Sequence, residues 1–576
     1  MPAAARLRRG LTRLALASFL LSAPTAWIAR AYAQEPPPDG EPEDSAGDAS
    51  PLGAPVSQPP VPGEDEPLPS PPTNLGIRRL DPLPPSPRLD LGGGDPLSID
   101  ELIASVRAHY PPLLAERERV RAAEASRLEA DGAFDLGVSA DVKVLSSYYD
   151  YVTAGVQLSQ PTGLWGLRFY GGWRLGTGLD PEGVGEVDGE YLGEGSLPSY
   201  YGELETLGAG EVRGGVVLPL WRGGPIDPAR AGVRQARQAL RAARAGLTGR
   251  RLDVEQAAVA AYWDWVAAGQ LYAVGARLLD LAEERNSQIE RMVDRGSRAF
   301  IELLENRRAI LARRQSLVAD RRRLEAASIR LSLFLRRADG RPRLPSPSRL
   351  PPGLPLPVLG PLPDRREAIG RALEQRPEIA RFRALLTRQQ VGVELAENLA
   401  APRIDVKLEA AQDLGEAEAD QDDRLRPFEV SGTVMFETPL QRRALLGRRD
   451  QAAANLRELE AEARFARDQV VARVLDAASA YEAARDRYEA AAPSAEVAEQ
   501  VAEAERRRYD LGSSELLLVN LREQIAASAA VERAQAQAAV FQAVAAYRTA
   551  LGAAPAGSSL ALQDAEPPAE PASPGQ

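Results

Sequence analysis

The chain has 576 residues, 44% of them hydrophobic and 26% charged, with a formal charge of −11, one histidine and no cysteine. That length exceeds a single ordinary core and implies two to four domain-sized units. The absent cysteine excludes disulfides, thiolate metal sites, cysteine nucleophiles and an acylated lipoprotein anchor, and His109 alone leaves a Ser-His-Asp triad one possible base. The basic residues, 68 arginines and two lysines, sit on a net acidic chain, a poor balance for nucleic-acid binding. No catalytic residue, metal ligand, cofactor or nucleic-acid partner is expected.

Arg6, Arg8, Arg9 and Arg13 precede the mostly apolar run Leu14 to Ile28, which ends in Ala31-Tyr32-Ala33. A basic region, an apolar region and an A-x-A site predict a signal peptide over 1–33. The apolar run is shorter than the ~20 residues a spanning helix needs. Cleavage leaves 65 basic against 81 acidic residues, a charge of −16. Residues 34–95 then read as a disordered linker. From Gln34 to Asp90 there are 17 prolines and 11 acidic residues against three arginines, too little apolar surface to bury.

The first folded half, 96–338, opens with a helix over Ser98–Asp131 and continues through alternating segments. A very long helix follows, with Asp227 as N-cap and Pro228 in the first helical position, running 66 residues to Met292, roughly 100 Å. A glycine turn over Met292–Phe300 leads into a returning helix over 299–338. A linker with nine prolines, 339–363, separates this half from the second, 364–552. The second half repeats the order: a helix over Asp364–Ala400, alternating segments, a long helix from Pro439 to Tyr509 with Pro493 as a kink site, a turn over Arg508–Leu516, and a returning helix over 514–552. A disordered tail, 553–576, closes the chain.

The halves match locally: AHYPPLL with EQRPEIA, LPLWRGG with TPLQRRA, AAYWDW with SAYEAA, MVDRGS with RYDLGS. The offset is 220 at Pro219 and Pro439, 219 at Tyr262 and Tyr481, and 216 at Gly296 and Gly512. So small a drift across so long a helix predicts two internal repeats. In each half the two shorter helices sum to about the length of the long one, so stacked end to end they supply it with a full antiparallel partner.

Six segments between the helices alternate with period two: Phe134–Val144, Ala154–Gln160, Leu164–Leu175, Gly210–Leu220, Arg403–Ala410 and Phe428–Phe436. Such alternation suits a soluble sheet wetted on one face as well as a barrel. Near ten-residue strands, a charged second face and twelve of the 31 aromatics between Phe134 and Trp221 favour a transmembrane barrel. Hydrocarbon offers edge strands no partners, so a barrel must close, and so few strands force oligomerisation. Candidate lumen residues are Asp135, Asp141, Lys143, Arg213, Arg403, Asp405, Lys407 and Glu409.

These features together resemble the TolC-like outer-membrane efflux protein family. The resemblance rests on ALEQRPEIA (372–380), NLAAPRIDV (398–406), QPTG (160–163), VVLPLWRGG (216–224), ETPLQRRALLG (437–447), RRYDLGSSELLLVN (507–520) and AYRTALG (546–552). It implies a mixed α and β membrane protein: a trimeric outer-membrane β-barrel in lipid, continued into the periplasm by a long antiparallel α-helical barrel. It implies a passive conduit in a tripartite efflux or type I secretion system, a homotrimer docked to a periplasmic adaptor protein and an inner-membrane pump. It also implies four strands per protomer, two fewer than the segments counted above. The competing reading is a periplasmic coiled-coil adaptor or structural protein without a pore.

By the same resemblance the two helical turns are the adaptor-docking and gate tips: Gly296, Ser297 and Phe300 in the first, Gly512, Ser513 and Leu516 in the second. Arg291, Asp294, Arg295, Glu302, Glu305, Arg508 and Asp510 are the candidate polar contacts that hold the tips closed. Where the family's second tip can carry acids, this chain has Leu518 and Leu521; Glu302 and Glu305 occupy the same spacing in the first.

Overall fold

The computed structural model describes residues 88–145, 150–179, 206–416 and 428–555, all within a compact unit from Pro84 to Gln576. The signal peptide, the linker as far as residue 87 and the tail beyond 555 lie outside the described residues.

The first half begins with α1 (Ile99–His109) and α2 (Pro111–Asp131). The single helix expected over Ser98–Asp131 is broken here because proline disfavours helical backbone in the residue before it. Tyr110 is extended, at φ −77° and ψ 115°. The same correction applies to Asp364–Ala400. It divides into α5 (Arg365–Gln375) and α6 (Pro377–Leu399) at Arg376, φ −64° and ψ 128°, immediately before Pro377.

Two helices span the length of the body. In α3 (Pro228–Asp294), Asp227 accepts the first-turn amide of Arg230 at 2.8 Å, the capping expected from its sequence. Its 67 residues extend about 100 Å. Its counterpart α7 (Arg443–Asp510) starts four residues later than Pro439, after Arg442 in left-handed backbone at φ 49°, and passes through Pro493 as one helix. The returning helices are α4 (Phe300–Ser332) and α8 (Leu516–Ala550).

These helices form four parallel tracks. Helix α3 packs between α2 and α4 on one side and α6 and α8 on the other, and α7 closes the far side of α6 and α8. The short helices stack end to end as their lengths require. The α1–α2 break meets the end of α4, where Tyr110 stacks on Phe334 with ring centroids 5.6 Å apart. The α5–α6 break meets the end of α8, where Arg376 donates to the Thr549 carbonyl at 2.7 Å.

Two extended segments brace this curtain. Arg88 donates to the Ala276 carbonyl at 2.9 Å and pairs with Glu283 at 3.1 Å, so the linker is already docked at residue 88 rather than free to residue 95. The Pro-rich segment between the halves is likewise held. Gln537 donates to the Pro355 carbonyl at 2.6 Å, and the buried Tyr481 hydroxyl donates to the Gly360 carbonyl at 2.9 Å.

The strands are β1 (Gly137–Leu145), β2 (Asp150–Pro161), β3 (Arg168–Leu179), β4 (Glu211–Pro219), β5 (Arg403–Asp413) and β6 (Glu429–Glu437). They form one antiparallel sheet in the order β1-β2-β3-β4-β5-β6, so the resemblance's four strands per protomer give way to six. The sheet is open, with β1 and β6 at its edges. Strand β1 follows α2 in the outermost track, and β6 leads into α7 in the track opposite. Sheet and helices are therefore unpartnered on the same two sides.

Candidate functional site

The register sorts the sheet's side chains onto two faces. The pairs Ala140–Val156, Val156–Trp173, Trp173–Val212, Val216–Leu408 and Leu408–Gly432 run across one face from edge to edge. With their period-two neighbours, Val138, Val142, Leu158, Phe169, Leu218, Val406, Val430, Val434 and Phe436, they make that face almost wholly apolar. Much of it is exposed: Val142 is 71% accessible and Val434 70%. A contiguous apolar surface of this extent marks contact with another protein or a membrane. Exposed aromatics stand near both ends of the sheet: Trp165, Phe169, Trp221 and Phe436 toward the helices, Phe428 at the far end.

The other face carries charge. Of the predicted lumen residues, Asp141, Lys143, Arg213, Arg403, Asp405, Lys407 and Glu409 all fall on it, and Asp135 lies just before β1. Arg403 pairs with Asp405 at 2.6 Å and Lys407 with Glu409 at 2.8 Å. Asp141, Lys143 and Arg213 have no ion pair among the described residues. Tyr170, Arg174 and Glu211 share this face without having been among the candidates. Their phase against Phe169, Trp173 and Val212 already placed them on the polar side. Arg174 pairs with Glu211, and the Tyr170 hydroxyl donates to Glu409. Gly215 lies between Tyr170 and Glu409 in the register, and a Cβ there would fall 2.5 Å from the Tyr170 oxygen. The glycine lets the ring cross a strand, with Lys407 5.3 Å from its centroid.

At the opposite end of the helices both turns have the same backbone. Gly296 and Gly512 adopt φ 72° and 76°, which glycine reaches without steric cost. Ser297 donates its amide to Met292 and Ser513 its amide to Arg508, each at 2.9 Å, and each hydroxyl repeats that bond. This is a Schellman closure satisfying the last carbonyls of α3 and α7. The tips pack together through Ile289, Leu303, Tyr509, Leu516 and Val519, with Val293 and Phe300 at the margin.

The polar tip residues divide into two groups. Glu302 accepts from the Tyr509 hydroxyl at 3.4 Å and pairs with Arg298, which lies 5.0 Å over the Tyr509 ring. Burial, reinforced by the Glu302 charge, pushes the Tyr509 hydroxyl pKa up. Arg508 pairs with Glu505 at 3.4 Å. Arg291, Asp294, Arg295, Glu305 and Asp510 make no ion pair among the described residues, and of these only Glu305 is half-buried. Leu521 is exposed and Leu518 half-buried.

A buried charge cluster a few turns above the tips was not foreseen. Glu523 on α8, 2% exposed, accepts from Arg285 on α3 and from Arg313 on α4 at 3.1 Å. Asn520 accepts from the same two arginines at 3.1 and 3.3 Å. Burial pulls the Arg313 pKa down. The signal was present in the sequence: Leu516, Val519, Glu523 and Ala526 are the buried stripe of α8, and a carboxylate interrupts it.

An open sheet with one apolar and one charged face, set on a curtain of helical hairpins, is the fold of several solved outer-membrane channels. The chain is similar in structure to the CmeC outer-membrane channel of Campylobacter jejuni (TM-score 0.54, 14% identity, 79% of this chain and 85% of that one). It is similar also to the outer-membrane protein VceC of Vibrio cholerae (0.53, 16%, 79% and 96%) and to the MtrE outer-membrane channel of Neisseria gonorrhoeae in its open state (0.56, 16%, 81% and 92%). No sequence-family model matches the chain, and comparison with curated proteins gives no match. Among the described residues no helix is long and apolar enough to cross a membrane.

Proposed function

We propose that this protein is a passive outer-membrane channel, a homotrimer of two-repeat chains whose sheets close into a lipid-embedded barrel and whose helices extend into the periplasm. One observation carries the reading. The sheet exposes an apolar face on one side and a charged face on the other, and both its edges are unpaired. Such a sheet is stable in a membrane only when closed on itself, because hydrocarbon cannot satisfy free backbone groups. The charged face then lines water. The mouth of the helical tunnel lies at the Gly296 and Gly512 turns, where an adaptor and an inner-membrane pump of a tripartite efflux or type I secretion system dock.

The gate follows from the same geometry. Glu302, Arg298 and Tyr509 hold the two hairpins of one chain together. Asp294, Arg295, Arg291 and Asp510, which make no ion pair among the described residues, pair between copies in this reading. Exposed pairs contribute only about 0–1 kcal/mol each, which suits a closure that a docking partner must undo.

Fractionation of cells expressing the full chain tests the reading. The mature protein is expected in the outer-membrane fraction, released only by detergent, with the mass of a trimer. Recovery as a soluble periplasmic monomer would overturn the channel and favour the poreless adaptor.

A further inference from the structure

The six-stranded sheet fixes the size of the pore. Resting on the trimeric channel reading above, we infer that the barrel wall has eighteen strands, six from each copy, closed by β1 of one chain pairing with β6 of the next.

Three observations carry it. First, β2 and β3 belong to the wall. They pair along their whole lengths with each other, and over part of their lengths with β1 and β4, so the apolar and polar faces continue across them. Val156, Leu158, Phe169 and Trp173 supply the apolar face there, and Tyr170 and Arg174 supply the charged one. A hairpin lying outside the wall would have no reason to keep both faces in phase.

Second, an even number of antiparallel strands leaves β1 and β6 running in opposite directions, so an antiparallel β1–β6 junction closes the ring with no irregular pair. The edge side chains Val138, Val142 and Val144 on β1, and Val430, Val434 and Phe436 on β6, are among the most exposed apolar residues of the sheet. The helical curtain is open on the same two sides, so one contact between copies joins both layers.

Third, the dimensions agree. Four helical tracks per copy give twelve around a trimer, and at about 9–10 Å between axes they form a ring about 36 Å across. Eighteen strands about 4.8 Å apart and tilted about 40° give a wall about 36 Å across, whereas twelve give about 24 Å. The strand-to-helix junctions then need no constriction. Allowing about 5 Å for inward side chains on each side, the lumen is about 25 Å wide. The barrel therefore passes bulky hydrated cargo, and selection by size falls to the helical tips.

The test uses the full-length trimer in lipid nanodiscs, imaged by electron cryomicroscopy, with cysteine pairs introduced into a chain that has none. Eighteen strands and a wall about 36 Å across are expected. Val142→Cys combined in turn with Val430→Cys, Gly432→Cys or Val434→Cys should give, in at least one register, disulfide-linked dimers and trimers on denaturing gels. Ala140→Cys with Val212→Cys should give no disulfide. Those positions are level across the sheet but three strand spacings apart, about 14 Å, beyond a disulfide's reach. A trimer with twelve strands, or a disulfide between positions 140 and 212, would place β1 beside β4 and overturn the inference while leaving the channel standing. A soluble monomer would instead remove the channel reading itself.

Discussion

Gly296 and Gly512 show how single residues set the helical tips. A Cβ at either position meets nothing within 4 Å, so a substitution is resisted by backbone conformation alone. Left-handed backbone costs an L residue about 1–2 kcal/mol, and asparagine tolerates it best. Gly512→Asn should therefore retain export, and Gly512→Val should lose it with trimer yield unchanged, as an export assay alongside native gels would reveal. Equal export by the two variants would remove the turn's conformation from the mechanism. Glu523 makes the opposite kind of contribution. Replacing it with alanine strands two buried guanidinium groups, and breaking such a cluster costs about 3–5 kcal/mol. Glu523→Ala is expected to lower the denaturation temperature of the purified protein markedly, with the first protease-sensitive sites in α4 and α8; an unchanged melting curve would show that the arginines find water instead.

Among the elements, β5 bears the sharpest contrast between neighbours. Leu408 lies on the apolar face and Lys407 on the charged one, a single step apart along the strand. Arginine at a lipid-facing position costs about 2–4 kcal/mol at mid-depth. Leu408→Arg should therefore reduce assembly into the outer membrane, while Lys407→Gln should assemble normally and shift the open pore toward cation selectivity. Reversal potentials in planar bilayers and heat-modifiability on gels would read the two effects; equal loss of assembly would invert the assignment of faces. The alternation of Arg403–Ala410 made this legible in the sequence, because a period of two is a local property. The break at Pro377 is equally local, yet the apolar spacing continues through it and predicts a single helix.

For the molecule as a whole, the segment between the halves matters as much as the helices. Arg349 binds Glu101 at 2.7 Å and anchors it to α1. Its hydrogen bond holds the Glu101 carboxyl below its ordinary value of 4.5. A depressed carboxylate contributes stability that is present above its unfolded-state pKa and is lost as pH falls through the folded one. Limited proteolysis should find the Pro-rich segment protected at neutral pH and cut more readily below about pH 4, with Glu101→Gln equally susceptible at both. Protection independent of pH in the native chain would show that Gln537 and Tyr481 suffice to hold it.

By itself the sequence determined the helices, the turns and the alternation of the strands, since each depends on residues within a few positions of one another. Asp227 and Pro228, the paired glycine turns and the shared face of the charged residues from Asp141 to Glu409 were all readable on that basis. Only the tertiary structure decided what depends on distant segments meeting. It joined β4 to β5 across nearly two hundred residues, making one six-stranded sheet where the family resemblance implied four strands. It brought Glu523 between Arg285 and Arg313, and laid the Tyr170 ring over Gly215 to reach Glu409. No local periodicity encodes these pairings, because they arise from which faces must be buried when separate segments pack.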